Sequence, residues 1–396
     1  MNMLSNIKHT SAEEVLLNQL SESRNNNASG ALEMLSERGL PTRKVEPWHY
    51  TDLRTLLRDY PHPPSAIQSE FSGESLKEMP DLAEGFTIGF SNTSHLIGAV
   101  KDFPEGVTGE VGPAAANTTH EVEIVADTVG LLNSALAENG AVLNVAPGAK
   151  VEGAITLAHT CAGGTASVLR HSVTMGEESE ALFIERHHSS TIENHENVVC
   201  NLKLEKGAKV TWVISQELGQ ATTRLGQFNF DMAEGAELTI LVLNAGGKLV
   251  RQEIHGRVRG ENANLAIRGV NLIGESAHID VTTTLSHEVP HTTSEELFRN
   301  VVTGHGKGVF QGQIRVAQPA QKTDAQMACN SLLLSDDSDF SAKPELEIFA
   351  DDVVCAHGAT VIDIDEDHLF YMRARGITER DSRALLVKAF VDEVFE

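Results

Sequence analysis

Four cysteines in 396 residues, Cys161, Cys200, Cys329 and Cys355, are too few and too scattered for a disulfide framework, and none belongs to a C-x-x-C pair. The same scarcity argues against a dedicated zinc site and fits a reducing compartment. Basic residues are scarce as well: 31 Lys and Arg stand against 56 Asp and Glu, a formal net charge of -25. Phosphate recognition needs clustered cations, so no nucleic-acid partner is expected. No apolar run reaches the ~18 to 20 residues of a membrane-spanning helix, so no membrane partner is expected either. The opening stretch MNMLSNIKHTSAEEVLLNQL lacks a basic start, a continuous apolar core and a small-residue cleavage site. That is neither a secretory signal nor a transit peptide, and a cytoplasmic location is the expectation.

What is present is an ordinary globular composition, 41% hydrophobic and 22% charged, on a chain long enough for two or three domains. Much of the negative excess is local: eleven Asp or Glu and one basic residue, Lys343, fall between Asp336 and Asp367. A solvated acidic face is the plain reading, and a docking surface for a basic partner or a metal is the other. The first part of the chain reads as helical. Ser11 to Glu14 fits a capping box ahead of Val15, Leu16 and Leu20. A second helix around Ala31 to Leu35 stops at Gly39 and Pro41. Trp48 and Tyr50, beside Leu53 and Leu56, form a hydrophobic anchor that docks this arm on the rest, and Pro61 to Pro64 read as a linker.

From about Glu121 to Glu347 the period changes to two. The runs AVLNVA, EGAITLAH, TASVLRHSV, ALFIERH, NVVCNLKLE, KVTWVIS, QFNFDM, ELTILVLN, NLAIRGVNL, HIDVTTTL and GVFQGQIRV alternate apolar and polar residues, the signature of strands, with hardly a helical segment among them. Gly148, Gly207 and Gly235 each open a strand, and Gly176 and Gly260 sit at similar points, with spacings of 28, 31, 28 and 25. A quasi-regular unit of two strands and a glycine turn predicts a β-solenoid rather than a β-sandwich. After Gly358 the pattern is helical again. Asp365 caps one helix that stops at Gly376, Thr378 caps another, and Leu385, Leu386, Ala389, Phe390 and Val394 form its apolar stripe.

Most chemical motifs fail. His287-Glu-Val-Pro-His291 matches H-E-x-x-H, but Pro290 would sit inside the helix that a zinc peptidase needs, so a turn between coils is expected. Gly304-His-Gly-Lys-Gly308 lacks the Lys-Ser/Thr and following helix of a phosphate loop. No G-x-S-x-G elbow occurs. His187, His188 and His195 invite a metal, yet on strands they read as surface or core residues. Cys355 and His357 differ: two apart on an extended segment they share a face, and a thiol beside an imidazole can hold a soft or borderline metal or pass on a sulfur species. Two ligands are too few for a closed site, and a buried Cys beside a structural His is the alternative reading.

The run GVFQGQIRVAQPAQKTDAQMACNSLLLSD, followed by KPELEIFADDVVCAHGAT and LFYMRARGI, resembles the SufB/SufD family of iron-sulfur cluster assembly proteins, as does EPWHYTDL near the N-terminus. The likeness spans nearly the whole chain, is most specific from 308 to 377, and in its C-x-H-G-A-T ending is closest to the SufD branch. It implies a mainly β protein with a right-handed parallel β-helix core at 86–360, an N-terminal helical region and linker at 1–85, and a C-terminal helical region at 361–396. It further implies a non-catalytic scaffold that pairs with a SufB-like paralogue and docks a SufC-type ABC ATPase through Phe370, Arg373, Leu385, Leu386 and Phe390. By position, His357 matches the histidine that faces SufB, Cys355 is its neighbour, and Cys329 falls where SufB carries a cysteine important for assembly. No cofactor is expected in the isolated chain; an iron-sulfur cluster would form transiently with SufB, with His357 and Cys355 as metal ligands only at that shared interface. A homodimer of the isolated chain stays open. The competing readings are a carbohydrate-active β-helix enzyme, disfavoured by 5% aromatics and no visible acidic groove, and a zinc hydrolase built on His287 and His291.

Overall fold

The alternating segments become strands that fall by turns into two facing sheets. The computed structural model describes residues 8–23, 28–58, 60, 83–91, 94–96, 103–112, 127–137, 139–161, 164, 166–189 and 192–395. The first sheet holds β1 (Gly85–Ser91), β2 (Ser94–Leu96), β5 (Lys150–Cys161), β7 (Glu180–Ser189), β9 (Lys209–Leu218), β11 (Glu237–Gly246), β13 (Asn264–Ile273), β15 (Thr293–Val302), β17 (Asp324–Leu333) and β19 (Val354–Ile362). The second holds β3 (Val107–Val111), β4 (Ala141–Val145), β6 (Ala166–Met175), β8 (Asn194–Leu204), β10 (Thr222–Met232), β12 (Leu249–Val258), β14 (His278–His287), β16 (Lys307–Val316) and β18 (Asp339–Ile348). Pairing is parallel except for β1 with β2 and β3 with β4. This is the parallel β-solenoid that the glycine repeat predicts, with 26 to 32 residues between register partners of successive rungs from β5 to β19.

One residue in two on each strand points into the lumen. Phe183 stacks on Trp212 at 4.7 Å, and Trp212 meets Phe228 at 4.9 Å. The turns are set by a column of left-handed residues, of which Gly148, Gly207 and Gly235 are the glycine members. Gly176 and Gly260 are not in it. On those rungs Glu178 (φ 55°) and Asn262 (φ 60°), two residues later, take the left-handed place, which Asn tolerates better than most residues. His291 (φ 58°) belongs to the same column, and His287 is the last residue of β14, its ring 2.8 Å from Thr292 Oγ1 and 2.9 Å from Ser294 Oγ. The H-E-x-x-H stretch is therefore a strand end and a turn.

The two ends of the chain cover opposite outer faces. On the second sheet lie α1 (Ser11–Glu22), α2 (Ala28–Arg38), a 3-10 turn at Glu46–Trp48, α3 (Leu53–Leu56) and α4 (Thr128–Leu136), packed around Leu16, Leu35, Trp48, Leu132, Leu225 and Leu249. Two expectations are corrected here. The capping box of α1 is built by Thr10 and Glu13 rather than Ser11 and Glu14: the Glu13 carboxylate accepts from Thr10 N at 2.7 Å and from Leu40 N at 2.7 Å, tying α1 to the end of α2. And α4 is a helix within the stretch expected to hold hardly a helical segment. The Pro61 to Pro64 linker lies outside the described residues. On the first sheet lie α5 (Glu366–Ala374) and α6 (Glu379–Asp392), capped by Asp365 and Thr378 as expected. No helix among the described residues is long and apolar enough to cross a membrane.

Candidate functional site

At its N-terminal end the solenoid carries the antiparallel β1–β2 and β3–β4 pairs, whereas at its C-terminal end β18 and β19 are each paired on one side only. Burial falls off abruptly at this end. Inward residues of β17 are enclosed, but along β19 every residue is exposed except the half-buried Cys355. Ile348, Phe349, Val354, Val361 and Ile362 leave apolar surface around the rim. Natural edge strands are blunted by charge, proline or covering segments; β19, VCAHGATVI, has no Asp, Glu, Lys, Arg or Pro in nine residues. The last rung is thus an uncharged edge above a core that no other described residue covers.

Cys355 and His357 stand together on this last rung. Cys355 pairs in register with Ala325 and His357 with Met327, so both face the lumen side. Cys355 packs against the core, and its thiol is pushed up by burial. His357 is exposed. Cys329 is not part of the rim. It lies one rung inside, under Ala359, fully buried, where burial lifts its thiol to about 12 although Asn300 Nδ2 donates to its sulfur at 3.3 Å. It is a neutral, enclosed thiol in the free chain.

The five helical positions divide between two roles. Leu386 and Phe390 face inward and pack beside Leu332, Ile364 and Leu369, with Arg299 over the Phe390 ring at 5.3 Å and paired to Glu393. They hold α6 to its own solenoid. Phe370 and Leu385 point outward with Tyr371 and Phe395, and Arg373 pairs with Glu379 at 3.4 Å across the α5–α6 junction.

The family model described as "SUF system FeS cluster assembly, SufBD core domain" matches residues 158–390, from within β5 almost to the end of α6. The chain belongs to the SufBD family. Among its relatives, the iron-sulfur cluster assembly protein SufD of Escherichia coli is 29% identical over 94% of this chain and 89% of its own length. A SufBD family protein of Synechocystis is 24% identical over 94% and 86%, and the chloroplastic protein ABCI7 of Arabidopsis thaliana 29% over 90% and 78%. Family membership ties the chain to iron-sulfur cluster assembly. The SufBD core match includes the whole open end and both C-terminal helices, and stops short of the N-terminal arm.

Sequence reasoning missed a polar interior. His159, His187, Gln216, Asn244, Asn271, Asn300 and Ser331 occupy one inward column. From Gln216 onward each amide N–H donates to the next rung, at 2.6 Å from Asn244 to Asn271 and from Asn271 to Asn300, and at 3.1 Å from Asn300 to Ser331 Oγ. Where the column starts, His187 bridges Glu185 (2.8 Å) and Glu196 (2.9 Å), and Arg224 lies 3.3 Å from Glu196. Burial alone would raise both carboxyls, yet the His187 and Arg224 cations outweigh it and hold each at about 2; burial and Arg224 oppose protonation of His187, and the two carboxylates overcome them. Two anions and two cations balance inside the lumen.

Proposed function

We propose that this chain is a non-catalytic scaffold subunit of a SUF assembly complex. Its open rung, β18 and β19, receives a SufB-type paralogue, and the outward face of α5 and α6, with Phe370 and Leu385, receives a SufC-type ABC ATPase. A nascent iron-sulfur cluster then forms as cargo near the shared interface, where His357 and Cys355 supply this chain's donors. The observation that carries the reading is the uncharged, single-sided β19 with an imidazole and a thiol on its lumen side. A partner strand there would satisfy the free edge and cover the apolar rim in one step.

The test is a pair of variants assembled with both partners. His357→Ala leaves folding and ATPase-subunit binding intact and lowers cluster formation, followed by the visible absorbance of the cluster. Leu385→Glu abolishes co-purification of the ATPase subunit while the SufB-type partner still binds. Unchanged cluster yield with the first variant removes the site role of His357, and retained ATPase binding with the second removes the docking face.

A further inference from the structure

The N-terminal arm is fastened to the second sheet at a histidine. Past Trp48 the chain turns through Thr51, whose hydroxyl lies 2.9 Å from His278 Nε2 and donates to Asp280 Oδ2. A hydroxyl has one proton to give, so toward His278 it is the acceptor and Nε2 carries the hydrogen. Thr51 and Asp280 are fully enclosed and His278 is 9% exposed. Two hydrogen bonds in series, His278 to Thr51 to Asp280, are thus sealed between the arm and β14.

The charges around the imidazole are unequal. Asp280, two residues along the same face of β14, favours a cation there, but its carboxylate is already engaged by Arg251 of β12 at 2.5 Å and by Thr51. Glu253 is taken up by Arg251 at 2.7 Å and by His255 at 3.3 Å. Against a further positive charge stand Lys307, the register partner of His278 on β16, Arg251, and Arg43 of the arm itself. Burial together with these three cations outweighs Asp280 and holds His278 below a histidine's ordinary value. The docked arm encloses a neutral ring.

We propose that His278 is a proton-sensitive latch for the N-terminal arm: a proton from solvent on its Nδ1 loosens the arm from the second sheet. With the arm lifted, the ring faces water and titrates near the ordinary 6.5. Below that pH the lifted state holds more protons than the docked one, so docking is complete in neutral solution and weakens as pH falls, by at most about tenfold per pH unit for one histidine. Arg43 puts part of the repulsion on the element that moves. The same segment reaches β18 through Glu46 and Lys343, so lifting it also releases an ion pair on the open rung. The latch itself needs no partner protein, and it can fail or hold independently of the docking surfaces.

The full-length chain is compared at pH 7.5 and 5.5 by hydrogen exchange and mass spectrometry, on peptides covering residues 46–57 and corrected for the intrinsic pH dependence of exchange. Exchange in the arm is expected to rise up to about tenfold at pH 5.5, while β9 and β11 stay protected. His278→Gln keeps an N–H for Thr51 and takes up no proton; its arm should exchange alike at both pH values. Thr51→Val removes the hydroxyl at nearly constant shape and should raise arm exchange already at pH 7.5. Protection of β9 and β11 checks the fold of each variant. Equal exchange of the parent arm at the two pH values, a rise that persists in His278→Gln, an arm unaltered by Thr51→Val, or loss of protection in β9 and β11 along with the arm would each overturn the latch.

Discussion

Glu296 shows how a single side chain sets the pH response of the solenoid. Burial keeps its carboxyl protonated up to about 7, against an ordinary 4.5. The unfolded chain releases that proton near 4.5, so between these values the folded state holds more protons and stability falls as pH rises. The loss is complete above about pH 7 and amounts to roughly 3 kcal/mol. Glu296→Gln is neutral at every pH. It should match the parent at pH 4 and exceed it at pH 8, with urea unfolding at the two pH values as the check. Gly226 matters for a different reason: a Cβ there would lie 2.1 Å from Arg224 Nη1. Gly226→Ala should displace the guanidinium from Glu185 and Glu196 and cost about 3–5 kcal/mol, read from the same unfolding curves. None of this was legible beforehand. In ALFIERH the inward set is Ala181, Phe183, Glu185 and His187, and period-two alternation cannot tell a polar residue that faces a lumen from one that faces water.

Among the elements, the segment Glu46–Thr51 ties four rungs of the second sheet together. Arg251 on β12 lies over the Trp48 ring at 3.9 Å and donates to Pro47 O at 2.9 Å; Asp280 on β14 accepts from Thr51; Gln311 on β16 donates to Pro47 O at 3.2 Å; and Lys343 on β18 pairs with Glu46. Trp48→Ala should destabilise the protein by about 3–5 kcal/mol and expose the arm to limited proteolysis before the solenoid unfolds. That Trp48 docks the arm was readable from its rarity and neighbours. What it docks on was not. β12 and β15 were absent from the alternating runs because Arg251, Glu253, Glu295, Glu296 and Arg299 interrupt the pattern, and four of those five charges are buried. Helix α4 escaped notice because Thr128, Val129, Leu132, Asn133 and Ala135 are all buried, leaving little polar face to mark its period.

For the whole molecule, glycine turns about thirty residues apart were enough to give the solenoid, since a left-handed turn per rung is the cheapest way to repeat it. The open end was not visible as an end from periodicity, because spacing puts Cys355 and His357 on one face of a strand without saying whether another rung covers it; the resemblance alone pointed to an interface there. Val361→Lys puts a charge on the exposed rim. It should leave unfolding within about 0.5 kcal/mol of the parent and weaken binding of a SufB-type paralogue by at least about 2 kcal/mol, measured by calorimetry.

Contacts between neighbouring rungs span about one repeat, but those of the Glu46–Thr51 segment with the second sheet join residues 203 to 297 positions apart. During synthesis the arm leaves the ribosome first, and its last anchor, Lys343, is made almost at the end. At about 5–20 residues per second the interval is roughly 15 to 60 s. Until Leu225, Leu249 and Arg251 have followed, Trp48 has no surface to rest on, so the nascent chain carries an adhesive arm that only later rungs can silence.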